Sequence, residues 1–167
     1  DLIAQSYHHT YRLPVTVARC GNIFGGGDLN WSRIVQGTVR SLVHKERPVI
    51  RSDGRFTRDY IYVKDVVRAY MRLAERSDEE GVLGESFNFG PEEPRTVLDI
   101  VAAIQRAMGD HPLEPIILDT ARGEIRDQYL SSEKAKERLG WRASFSLDEG
   151  LAETITWYRS FLAGRHT

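Results

Sequence analysis

The sequence predicts an α/β fold. Short runs of β-branched and aromatic residues alternate with amphipathic stretches of helical period. The first such run, residues 15–19, is apolar enough for a parallel strand buried on both faces. A third observation gives the chain a centre: DGRFTRDYIYVKD at residues 53–65 sets Arg58 between an Asp53-Gly54 turn and the aromatic run Tyr60, Ile61, Tyr62, Val63. An arginine held at a strand entrance can offer a planar fork of donors to a diphosphate. The alternative there is an ion pair with Asp53 or Asp59.

Each element has its own signal. Residues 1–12 place Leu2, Ile3, Ser6, Tyr7, Thr10 and Tyr11 on one helical face. The period is already running at the first residue, as in the tail of a longer helix, with Asp1 acting as a cap the other reading. Leu13-Pro14 stops this helix, and the strand that follows enters the loop CGNIFGGGD, where Gly21, Gly25, Gly26 and Gly27 let the backbone take unusual angles. It is not a dinucleotide fingerprint, because Gly25-x-Gly27 is followed three residues later by Asn30. Residues 30–45 carry Ile34, Val35, Thr38, Val39, Leu42 and Val43 on one side of a helix. Arg33 near its start opposes the helix dipole unless an anion sits between; otherwise it is a solvated charge. Residues 48–51 are a short strand, and 59–63 a half-buried one. In the helix from Asp65 to Glu75, Val66, Val67, Tyr70, Met71, Leu73 and Ala74 are expected to face the core.

A charged loop at 77–81 leads to a strand at 86–89, whose one polar interior candidate is Asn88. Thr96 is placed to cap a helix that Gly109 ends. Residues 115–118 form a strand, and a loop carrying Arg122 and Arg126 follows. Ser131 or Ser132 caps a helix to Leu139, Gly140 ends it, and Trp141 packs back. A last amphipathic helix covers 147–162 through Leu147, Leu151, Ile155, Tyr158 and Phe161.

Composition narrows the classes. The chain has 167 residues, is 41% hydrophobic and 28% charged, and carries a formal net charge of -1, without a basic block that would suit nucleic acid. The single cysteine, Cys20, cannot close an internal disulfide, and no apolar run approaches the roughly 18 residues of a membrane span. A reduced, cytoplasmic protein is expected. Five scattered histidines give no ligand spacing, so no metal site is expected.

Three strings, DGRFTRDYIYVKD, ARCGNIFGGGDLNWSRIV and EIRDQYLSSEKAKERLGW, resemble in order and spacing the extended short-chain dehydrogenase/reductase family of nucleotide-sugar epimerases and dehydratases. They are most similar to members like CDP-glucose 4,6-dehydratase, a likeness to which Gly26, where many relatives have proline, adds a little. The resemblance implies the C-terminal part of such an enzyme. Residues 1–30 would complete a Rossmann-type parallel sheet, 31–167 would be mainly a smaller α/β substrate-binding domain, and 60–90 would return in part to the main sheet. It implies NAD as cofactor, with Cys20 and Gly21 beside the nicotinamide. It implies a nucleoside-diphosphate sugar held by Asn22, Arg33, Arg58, Asn88 and Arg122, with Arg51 near the base. For Asn22 an ordinary turn role is the alternative. For Asn88 it is a bond to its own loop.

The implied reaction is oxidation of the sugar at C4 by NAD, loss of water across C5 and C6, and return of the hydride to C6. The catalytic Tyr-x-x-x-Lys pair of the family would lie just before Asp1. Within the 167 residues only Tyr60 and Lys64 match that spacing, at opposite ends of a strand where an ammonium cannot sit beside the phenol. The chain is therefore expected to contribute no catalytic residue and, alone, to be inactive. The resemblance also implies a homodimer, with the first helix in its contact. UDP-, dTDP- or GDP-sugar epimerases and dehydratases, and a non-catalytic nucleotide-binding module, are the alternatives.

Overall fold

The computed structural model describes residues 1–109 and 112–164. In chain order the elements are α1 (Leu2–Tyr11), β1 (Val17–Cys20), β2 (Asn22–Phe24), α2 (Ile34–Val43), β3 (Val49–Ile50), β4 (Thr57–Arg58), β5 (Tyr60–Tyr62), α3 (Val63–Glu75), β6 (Ser86–Phe89), β7 (Arg95–Thr96), α4 (Val97–Met108), β8 (Ile116–Ile117), β9 (Asp127–Gln128), α5 (Glu133–Leu139) and α6 (Leu147–Leu162). The α/β class predicted from sequence is the one observed. Two compact units divide these elements, the first made of Asp1–Ile23, Asp59–Glu93 and Tyr129–Ser144, the second of Phe24–Arg58, Pro94–Gln128 and the residues from Phe145 on.

In the first unit β1 and β6 run parallel, Val17 opposite Ser86 and Cys20 opposite Phe89, so both strands end at the same level. Their apolar side chains meet α3 and α5 in one core that holds Ile61, Leu73, Phe87, Phe89, Leu139 and Trp141. Burying each large side chain there contributes roughly 1.5 to 3 kcal/mol. Trp141 packs back as expected, its ring edge-on to Phe89 at 4.9 Å between centroids and its indole N–H donating to the carbonyl of Asp65 at 3.3 Å.

Three expectations change in this unit. The aromatic run is not half-buried: Tyr60, Ile61 and Tyr62 are all buried, and the chain passes from β5 straight into α3 at Val63. The inner stripe of α3 is Asp65, Val66, Ala69 and Leu73, whereas Val67, Tyr70 and Met71 are exposed. Asp65 fits inside because its carboxylate accepts from the backbone and hydroxyl of Ser144 at 3.0 and 2.9 Å. Of the two serines expected to cap α5, Ser132 stands at the N-cap but its hydroxyl joins Gly90 instead, and only Ser131 reaches the first turn, accepting from the Glu133 amide at 3.4 Å. α1 buries none of its residues, and Leu2 and Ile3 are 83% and 76% exposed. Asp1 occupies its N-cap position without a side-chain cap bond and pairs with Arg19 at 2.6 Å.

The second unit is built on three helices, α2, α4 and α6, packed on one another. Their shared core includes Val35, Val39, Ile100, Ile104, Leu151 and Ile155. Two of the three are closed by capping boxes, Thr96 with Asp99 for α4 and Ser146 with Glu149 for α6, and Gly109 ends α4 in the left-handed region as expected. β3 pairs in parallel with β8, while β4 lies between antiparallel β7 and parallel β9. The glycine loop is moored to α6. Tyr158 donates its hydroxyl to the carbonyls of Asp28 and Gly25 at 2.6 and 3.2 Å. Gly26 lies so tightly against the Trp157 ring that a Cβ would collide with it.

Candidate functional site

The second unit carries a cleft of about 430 Å³. One wall is the start of α2 with Trp31, Ser32 and Arg33; the other is β3 and its exit, with Arg51 and Ser52, and Glu124 stands at the rim. Local sequence explains the shape. Asp28 and Asn30 accept from the backbone N–H groups two residues on, at 2.9 and 3.2 Å, turning the chain before α2. Arg33 then occupies the N-cap of α2, where no side chain caps the helix.

That leaves the positive end of the dipole uncovered beside two guanidinium groups. Arg33 reaches Asp28 at 3.5 Å but stays largely exposed. Arg51 donates to the carbonyl of Ser32 at 2.9 Å, which holds it on the cleft wall. A cleft with two cations, an open helix start and one carboxylate can take a phosphorylated ligand.

Arg58 has a different setting from the one its motif suggests. It belongs to β4 rather than to the aromatic strand, and only 13% of its side chain is exposed. It donates to the carbonyls of Thr57 and Arg126 at 2.8 and 3.0 Å and lies over the ring of Phe56 at 5.7 Å. Its nearest carboxylate is Glu124 at 3.6 Å, not Asp53 or Asp59, so it touches the cleft through a residue of the rim. Arg122 turns back on its own loop, donating to the carbonyls of Asp119 and Ala121 at 2.9 and 3.0 Å.

The remaining sequence candidates lie in the first unit, where β1 and β6 end. Cys20 is half-buried, and that burial raises its thiol pKa. Gly21 donates to the carbonyl of Phe89 at 3.0 Å, and a Cβ on it would stand 2.7 Å from the carbonyl oxygen of Asp59. Asn22 is exposed and donates its backbone N–H to the same Asp59 oxygen at 2.6 Å. Asn88 bonds the carbonyl of Ser131 at 3.2 Å, a partner outside its own loop. Tyr60 is buried in β5, while the Lys64 ammonium lies over the ring of Tyr62 at 5.9 Å.

Sequence reasoning missed Trp31, Ser32 and Glu124 in the cleft and the burial of Asp59 below the two strand ends. Trp31 carried a usable signal, since a large aromatic just before a helix start often packs back. Its ring sits beneath Arg40 at 5.2 Å and 5.6 Å from that of Tyr158. Glu124 carried none, because its partner is far away in sequence.

Residues 1–90 match the model of the NAD dependent epimerase/dehydratase family. Among curated proteins, a dTDP-glucose 4,6-dehydratase of Xanthomonas campestris pv. campestris is 28% identical, over 95% of this chain and 46% of its own length. One from Actinoplanes sp. is 31% identical, over 96% of this chain and 48% of its own. Among solved structures, the UDP-glucose 4-epimerase of Thermotoga maritima with UDP-glucose superposes with a TM-score of 0.86 at 33% identity, covering 96% of this chain and 51% of that one. The dTDP-glucose 4,6-dehydratase of Bacillus anthracis in complex with NAD does so with a TM-score of 0.81 at 27% identity, covering 96% and 49%. The chain thus spans about half the length of the relatives it matches. No described helix is long and apolar enough to cross a membrane. Both the family match over residues 1–90 and the Rossmann-like α/β fold lead to one conclusion: the chain belongs to the NAD dependent epimerase/dehydratase family.

Proposed function

We propose that this chain is the substrate-binding portion of an NAD-dependent nucleotide-sugar 4,6-dehydratase or epimerase. The observation that carries the reading is the cleft beside the uncapped start of α2, which Arg33 and Arg51 both line. A diphosphate bridging them would also complete the open backbone donors of the helix. In this reading Arg58 acts from behind Glu124, and Arg122 joins only by leaving the carbonyls of its own loop.

The carboxyl ends of parallel strands are where such sheets receive ligands. Cys20 with Gly21 ends β1 there, and exposed Asn22 and half-buried Asn88 flank it. These residues fit a nicotinamide or sugar ring as a ledge rather than a cradle, because the space a Cβ of Gly21 would fill is already occupied by Asp59. NAD, when bound, would supply the hydride acceptor and donor. The chain's own residues orient the sugar and bear its phosphates, and the proposal gives them no proton-transfer step. The exposed stripe of Leu2, Ile3, Tyr7 and Tyr11 would serve a homodimer contact, which light scattering tests.

The substrate proposed first is CDP-glucose, to which the motifs are most similar; the named relatives make dTDP- and UDP-glucose the comparison. These differ in the base, which a few pocket hydrogen bonds decide. Calorimetric titration of the full-length protein with the three sugars should give binding to at least one. Arg51→Ala should weaken it about ten- to a hundredfold, the loss of one charge-assisted contact. Absence of binding by all three, or unchanged affinity in the variant, overturns the cleft assignment.

A further inference from the structure

Asp59 follows Arg58 directly in the motif. Asp59 is 2% exposed, and neither oxygen of its carboxyl has a hydrogen-bond partner. A carboxyl in that position is costly unless something else requires it. The surroundings are specific. Gly90 packs so closely on Oδ2 that a Cβ would overlap it, and Gly21 packs on the Asp59 carbonyl from another side. The backbone amides of Leu130, Glu93 and Glu92 lie near enough to favour the charged form, in part offsetting the burial that disfavours it.

Those amides belong to two segments that are themselves stitched together. Ser132 exchanges hydrogen bonds with the carbonyl and amide of Gly90 at 2.9 and 2.8 Å, and Glu92 accepts from the amide of Ser132 at 2.7 Å while pairing with Lys136. Glu92 holds a left-handed backbone, with φ of 60°, to bring its amide there. On the opposite side the Asp59 carbonyl fixes the turn at residues 20–22, accepting from Asn22 at 2.6 Å.

We propose that Asp59 is a positioning residue, wedged between Gly21 and Gly90, that ties the loops after β6 and before α5 to the turn presenting Asn22. The inference rests on the reading of Asn22 as a ligand contact at the end of β1. Asp59 touches no ligand itself; it sets the place from which Asn22 does. Replacing its carboxyl by an amide keeps the volume and puts an NH2 donor where the backbone amides of Leu130, Glu93 and Glu92 face an acceptor.

The test joins exchange with kinetics on the full-length protein. In Asp59→Asn, amide hydrogen exchange should rise about tenfold or more at residues 20–24, 90–93 and 129–132, with α2 unchanged. With NAD and the nucleotide sugar that binds best, kcat should fall about ten- to a hundredfold with KM held within about threefold, the signature of a displaced contact. The double variant with Asn22→Ala should be no slower than Asn22→Ala alone, because the two residues act through one contact. Unchanged exchange, additive rate losses, or exchange rising equally in α2 as the whole fold gives way would each overturn the proposal. Absence of turnover by the wild-type protein would count against the nucleotide-sugar reading alone, and the exchange measurement would still decide the role of Asp59.

Discussion

The two units begin their helices in opposite ways. In the first, α1, α3 and α5 all start without a side-chain cap bond, and α3 follows directly on a buried strand. In the second, α4 and α6 each start in a full capping box, and α2 alone is left open. A helix that continues a buried strand, as α3 does, needs no serine or threonine at its start, whereas α1 lies exposed and goes uncapped. In the second unit two of the three helices carry the box, so α2, which opens on the cleft, stands out as an end kept free for something else. The glycines divide differently, within each unit. Gly21 and Gly90 are wedged against Asp59 and Gly26 against Trp157, whereas Gly140 in the first unit and Gly27, Gly109 and Gly123 in the second have nothing within 4 Å of where a Cβ would be.

The largest expected effect separates those glycines. Gly90→Ala should cost about 3 kcal/mol as an overpacked site, against about 1 kcal/mol for Gly123→Ala, whose φ of 72° strains alanine without a collision. Urea midpoints of the two variants give the difference, and equal losses would erase the contrast between wedged and open glycines. Next comes Arg58→Ala. Its guanidinium is mostly buried and bonds two backbone carbonyls, so the variant should lose about 2 kcal/mol, more than an exposed ion pair with Asp53 or Asp59 would cost. Thermal unfolding checks this, and an unchanged melting temperature would return Arg58 to the surface.

Ser146→Ala should cost about 1 kcal/mol through loss of the α6 box, while Ser131→Ala, which gives up only a long 3.4 Å bond from the Glu133 amide, should cost less than about 0.5 kcal/mol. The smallest effect is set by pH. Burial raises the Asp59 carboxyl above its ordinary 3.8, so the folded state holds that proton more tightly than the unfolded one. Its contribution to stability is complete below the unfolded value and fades as pH rises through the folded one. The nearby charged group, Glu92, acts in the same direction. Asp59→Asn, whatever its loosened loops cost it at low pH, should therefore gain relative to wild type as pH rises above the ordinary carboxylate range, as denaturant midpoints from pH 4 to pH 8 would register. A variant that instead loses ground as pH rises would show that the carboxylate is better satisfied than its surroundings indicate.

What the sequence made legible was local. Thr96, Gly109 and Gly140 announced their helix ends because cap and helix lie within a few residues. The α/β class and the strands at 86–89 and 116–117 followed from periodicity and punctuation. The outer face of α3 was misread because Val67, Tyr70 and Met71 form a second apolar stripe, and period alone does not say which stripe a neighbour covers. Arg33 and Arg51 were found as candidates, yet their shared cleft depends on how β3 meets α2. The burial of Arg58 depends on the Arg126 carbonyl, which is 68 residues away. Asp59 was read as a charge beside an arginine, and only the fold shows two glycines closing on it.

The mooring of the glycine loop by Tyr158 has a spectroscopic consequence. Burial, with Asp28 nearby, pushes that phenol up to about 12 from an ordinary 10.0. In an alkaline titration followed by phenolate absorbance, Tyr158 would stay colourless while solvent-facing tyrosines ionise, because its proton is also what donates to the loop carbonyls. The folded state loses this contribution as pH climbs from 10 toward 12, so a late step in the titration would mark the release of the loop from α6 and give an optical clock for that one event.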